Sequence, residues 1–150
     1  MEMSDLFRSL KDQHKFLEAF LNTITLQQRA IITNDIAGLE ETIKTEGALL
    51  IHIDQYEKQM IKIINELSHK YSLDVSSNKL SEFLEKASEL KEINTQSIVK
   101  IQSSLKTLAM QIAKINAQNR MLVEQARSFI QETVAAIINS SKNQIFDRKI

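Results

Sequence analysis

No proline interrupts the chain anywhere in its 150 residues, and glycine occurs only twice. Proline removes an amide donor and clashes with the preceding turn, so its absence leaves no sharp helix breaker. Apolar residues make up 43% and aromatics only 5%, and β-branched residues show no strand-like alternation. These features predict an all-α fold: an antiparallel bundle of long coiled-coil-like helices with one short helix. The length suits a single domain with a real core.

Apolar spacing places the elements. A first helix over about 4–33, capped near Ser4, carries a seam of Met3, Leu6, Leu10, Leu17, Phe20, Ile24 and Ile31, with Gln13 and Gln27 in its two remaining places. The segment "TNDIAG" at 33–38 breaks the pattern, and Asn34 or Asp35 is a natural cap for a second helix over 35–71. Its seam runs from Ile36 through Leu39, Ile43, Leu50, Ile53, Met60, Ile64 and Leu67 to Tyr71, with Glu46 and Glu57 among them. "YSLDVSSN" at 71–78 reads as a loop, 79–90 as a short helix, and 91–139 as a long fourth helix with at most a brief irregularity at 94–95. The fourth helix holds two heptad phases: Ile98, Leu105, Ile112, Asn119, Ala126, Thr133, and Ile101, Leu108, Ile115, Leu122, Phe129, Ala136. The domain is expected over 1–139, with residues 140–150 a flexible polar tail.

Length then matters. At about 1.5 Å per residue the second helix spans roughly 54 Å and the fourth roughly 72 Å. If the two lie antiparallel with residue 91 level with residue 71, the fourth helix outruns the others near residue 127. The overhang carries Phe129, Ile130, Val134, Ile137 and Ile138, and a soluble protein seldom leaves such a patch in water unless something binds it. With Leu122, Val123 and Ala126 at its root, this stripe is the candidate binding surface.

Other chemistry is sparse. Acids and bases balance at 19 each. Residues 34–94 carry twelve acids and seven bases, and residues 95–150 three acids and eight bases. The bases of the last helix are spread singly without interleaved aromatics, which predicts a mildly basic helix against an acidic neighbour, not a nucleic-acid surface. Without cysteine there is no disulfide scaffold or thiolate metal site. The start lacks a signal-peptide pattern and no apolar run approaches a membrane span, so a cytoplasmic protein without membrane insertion is expected. His14, His52 and His69 all fall on helices. Glu66-x-x-His69 has the spacing of a di-iron bundle motif, but such a site needs a second copy of the motif. His14 and Glu18 make an i,i+4 surface pair. No phosphate-binding loop or nucleophile elbow is present. Neither catalytic residues, metal nor cofactor are expected.

Two amides stand out on the fourth helix, Asn119 on the seam and Asn116 on its flank. A buried asparagine in a bundle fixes register at some cost in stability. The pattern Asn116-x-x-Asn119-x-x-Leu122-Val123, then Ala126 and Phe129-Ile130, resembles the signature of the FlgN-type flagellar export chaperones. The "LEETIKTEGALLIHID" segment at 39–54 is similar to their leucine- and glutamate-rich stretch. The resemblance spans roughly 6–138; Arg120 stands where many members have glycine. It implies a cytoplasmic, non-enzymatic helical chaperone. Its partners would be the hook-associated proteins of the FlgK and FlgL type, at the hook–filament junction, and the flagellar type III export apparatus. It also implies that the C-terminal helix binds cargo. The alternative is a structural coiled-coil adaptor or another secretion chaperone using the same stripe for self-association. The residues leave the oligomeric state open.

Overall fold

The computed structural model describes residues 1–148, with side chains described through residue 142. Among the described residues there are four helices and no strand: α1 Met3–Thr33, α2 Ile36–Lys70, α3 Leu80–Ser88 and α4 Gln96–Arg148. Helix α1 lies in the middle and packs along both α2 and α4, which scarcely touch each other. The three long helices therefore form a row with α1 at its centre.

Local chemistry explains the helix ends. The first helix is capped two residues earlier than the Ser4 cap expected from sequence. Glu2 takes the cap position, with its backbone N–H donating to the Asp5 carboxylate at 2.8 Å. At the far end Asn34 enters the left-handed region (φ 56°) and closes the last turn. The Asp35 N–H donates to the Ala30 carbonyl at 2.9 Å there, an ending that asparagine tolerates better than most residues. Asp35 then caps α2 by accepting from the Gly38 N–H at 3.0 Å. A Cβ on Gly38 would lie 2.4 Å from that carboxylate, so a larger residue there would make the Asp35 side chain turn aside.

Register follows from pairs between helices. Gln27 meets Glu46, and Glu2 meets Lys70, so α1 and α2 are antiparallel. The Phe16 ring stacks on His52 with centroids 4.8 Å apart in the same register. Between α1 and α4 the pairs His14–Ser104 and Gln28–Gln118 share an offset of 90, so these two helices are parallel. Helices α2 and α4 are consequently antiparallel, as the length reasoning assumed.

The core sits at one end. Leu6 and Leu10 of α1, Ile63, Ile64 and Leu67 of α2, Phe83, Leu84 and Ala87 of α3, and Ile98 of α4 form one buried cluster. Each fully buried large side chain contributes roughly 1.5–3 kcal/mol gross by leaving water. The short α3 closes this end, and its approach is fixed by Glu82. That carboxylate accepts from the Ser76 and Ser77 backbone N–H groups at 3.0 Å and from both serine hydroxyls. The Ser77 hydroxyl, then the Ser76 backbone N–H, hold the Glu82 carboxyl well below the usual range, at about 2.

Two boundaries of α4 differ from the sequence reading. The helix starts at Gln96, not 91, because residues 89–95 leave the helical path. There Asn94 uses its side-chain oxygen to accept from the Gln96 N–H at 3.1 Å, and the Thr95 carbonyl accepts the first helical bond. At the other end the helix continues through residues 140–148, which the sequence reading assigned to a polar tail; residues 149 and 150 lie outside the described residues. Polarity and lack of period argued against packing there, and packing is indeed absent through residue 142, yet the backbone stays helical.

Candidate functional site

The offset of 90 between α1 and α4 places Thr33, the last residue of α1, level with residue 123. Helix α4 then runs on to Arg148, about 38 Å at the usual helical rise. Up to Leu122 the two heptad phases behave as seams: Ile98, Leu108 and Asn119 are buried, and Ile101, Leu105, Ile112, Ile115 and Leu122 are half-buried. From Val123 through Lys142 every residue is exposed. The same heptads thus continue, but the partner helices have ended.

Here lie the residues singled out from sequence. Phe129 is 70% exposed, Ile130 60% and Ile137 61%, with Val123, Val134 and Ile138 near one half. Ala126 is exposed, and Leu122 marks the last half-buried position. Helix α3, the one element able to fold back over this stripe, packs instead beside Leu6, Leu10 and Ile98 at the opposite end. Nothing in the chain's described residues covers the stripe.

The two asparagines separate sharply. Asn116 is exposed, whereas Asn119 is 5% exposed and faces α1. Its Nδ2 donates to the Ile24 carbonyl at 2.9 Å and to the Gln27 Oε1 at 3.3 Å. Gln27 in turn donates through Nε2 to the Glu46 carboxylate at 3.0 Å. Three polar residues, each out of place in an apolar seam, therefore form one line of hydrogen bonds across α4, α1 and α2. A line of this kind fixes longitudinal register, because sliding any helix by one turn strands buried polar groups at about 1–3 kcal/mol each. Asn119 Oδ1 remains buried without a donor, so the arrangement costs stability while it selects register.

Sequence reasoning missed half of the apolar surface. Ile36, Ile43 and Leu50 were read as core seam of α2, yet they are 66%, 53% and 49% exposed. The row of helices explains this. Helix α2 touches α1 on one face only, so its other apolar face has no neighbour. The signal available was Glu57, an exposed acid one heptad beyond Leu50 on the same phase. The expected contact between basic α4 and an acidic neighbour is likewise corrected: α1, with four acids and four bases, stands between α4 and acidic α2.

His14 sits 3.6 Å from Glu18 as the spacing predicted, and 2.7 Å from the Ser104 hydroxyl. Glu66 and His69 are both exposed on α2. Among the described residues no group of three or more metal-ligating side chains converges, and no helix is long and apolar enough to cross a membrane.

A family model described as FlgN protein matches residues 1–148. The chain belongs to the FlgN family. That family is one of flagellar export chaperones, and its members bind flagellar hook-associated proteins. The resemblance drawn from the paired asparagines and the apolar positions after them is thereby shown across nearly the whole chain. No curated protein and no solved structure matches this FlgN-family chain.

Proposed function

We propose that this FlgN-family chain holds hook–filament junction proteins of the FlgK and FlgL type in the cytoplasm before their export, and receives them on the free part of α4. The observation that supports this reading is the uncovered apolar stripe beyond the end of α1, with Phe129 70% exposed. A helix with a bare apolar face is a ready groove partner for an amphipathic segment of another chain. Phe129, Ile130, Val134, Ile137 and Ile138 would each contribute roughly 1.5–3 kcal/mol gross on burial. Ordering the cargo segment removes several kcal/mol. A net near −8 kcal/mol, about micromolar, suits a carrier that must also release its load. Covering the apolar face of the cargo would prevent its premature assembly.

Phe129→Asp and Ile137→Asp test this directly. Both side chains are solvent-exposed, so helicity and melting should stay nearly unchanged while capture of purified hook-associated protein is lost. Loss of folding in these variants would mean that the stripe is core, and the proposal would fail. If the stripe instead closes a constitutive dimer at low micromolar concentration, measured by solution mass, the self-association alternative holds.

A further inference from the structure

Because α2 and α4 flank α1 without meeting, a trough runs between them. Ile31 of α1 forms its floor, Leu39 and Ile43 of α2 one wall, and Val123, Ala126 and Ile130 of α4 the other. Three helices in a row with a trough on one side lack only a fourth helix to complete a bundle. On α4 the wall does not stop where the trough does. Val123, Ala126, Ile130, Val134 and Ile137 follow steps of three and four, so they share one face that leads from the trough onto the overhang.

The rims carry charge of opposite sign. Asp35 and Glu46 stand on the α2 side. Arg120 and Arg127, one heptad apart, stand on the α4 side with Glu124. Among the described residues neither arginine takes part in an ion pair.

We propose that this trough is the second half of the cargo site and takes one amphipathic cargo helix. That helix is about four turns long, matching Val123 to Ile137 at about 21 Å. It carries acids on the flank facing Arg120 and Arg127, and a base on the flank facing Glu46. The trough grips its first half on three sides, and the overhang holds its second half on one. This inference rests on the cargo-holding role proposed above, and adds α2 to the surface. A second copy of this chain is the poorer occupant. Its free-standing segment is the end of α4, where residues 124–148 hold three acids and three bases and so offer no net charge to the two arginines. Its α2 would bring α1 along, packed on one of its faces.

The chain lacks cysteine, which allows a clean test in the full-length protein. Ile43→Cys and Ile137→Cys are each labelled with a thiol-reactive photo-crosslinker and mixed with a purified hook-associated protein. Cross-links to the cargo from both positions are expected. Cross-linking from position 137 alone overturns the trough and leaves the α4 stripe as the cargo surface. No cross-link from either position, with capture intact, overturns both. Position 43 joining a second copy in place of cargo overturns the inference in favour of a dimer. The double variant Arg120→Glu/Arg127→Glu should weaken capture at least tenfold at low salt, with less difference at high salt. Unchanged affinity would contradict the charge pattern assigned to the occupant.

Discussion

The two ends of this molecule are built from the same kinds of residue and behave in opposite ways. At one end Leu6, Leu10, Ile64 and Leu67 are at most 1% exposed, enclosed by α1, α2, α3 and the start of α4. At the other, Phe129 continues a heptad phase of α4, Ile130 and Ile137 each fall one residue beyond it, and all three are at 60% exposure or more. What differs is the number of helices present at that level, not the pattern. An apolar heptad states that a helix wants a neighbour; whether the neighbour belongs to the same chain is decided by lengths and register.

The sharpest way to break the comparison is to make the same kind of change at both ends. Leu67→Ala should cost about 2–5 kcal/mol in chemical denaturation, because the enclosed site leaves a cavity. Ile137→Ala, on the bare end, should change stability by no more than about 0.5 kcal/mol. Similar losses at the two sites would show that the far end is packed in solution. A smaller contrast lies between the asparagines. Asn119→Ala removes the bonds to Ile24 and Gln27 and should cost about 1–2 kcal/mol. Asn116→Ala should be neutral to slightly stabilising, by about 0.5 kcal/mol. Alanine favours the helix equally at both positions, so the difference between them isolates the buried link.

Acid titration adds a weaker probe confined to the core end. The Glu82 carboxyl is lowered from 4.5 to about 2 by the Ser77 hydroxyl and the Ser76 N–H. A group with a depressed folded pKa stabilises the fold above its unfolded pKa, and this contribution fades as pH falls from about 4.5 towards 2. Glu82→Gln should flatten that part of the stability–pH curve, while cargo capture at neutral pH stays unchanged. An identical acid limb in the variant would show that the serine loop does not hold this carboxylate.

Much of this organisation is legible in the residues. The Asn34–Asp35 break, the two phases of α4 up to Leu122 and the overhang beyond it follow from period and length alone. The break at 89–95 was legible only as an irregularity at 94–95, since Leu90 and Ile93 keep an apolar spacing that a continuous helix would also show; the Asn94 side chain marks the restart. Exposure of Ile36 and Ile43 was hidden for a deeper reason. Periodicity shows that α2 has an apolar face, but not that α1 would occupy the middle of the row and leave that face empty. Gln27, Glu46 and Asn119 each looked misplaced alone, and their connection required the register between helices.

Hydrogen exchange of the full-length chain, free and bound to a purified hook-associated protein, tests the central claim most directly. A helix segment without neighbours opens easily, so amides of residues 124–142 should exchange fast in the free protein and slow markedly in the complex. The core around Leu6, Ile64 and Phe83 should be protected in both. Strong protection of residues 124–142 in the free chain at low micromolar concentration would contradict the account.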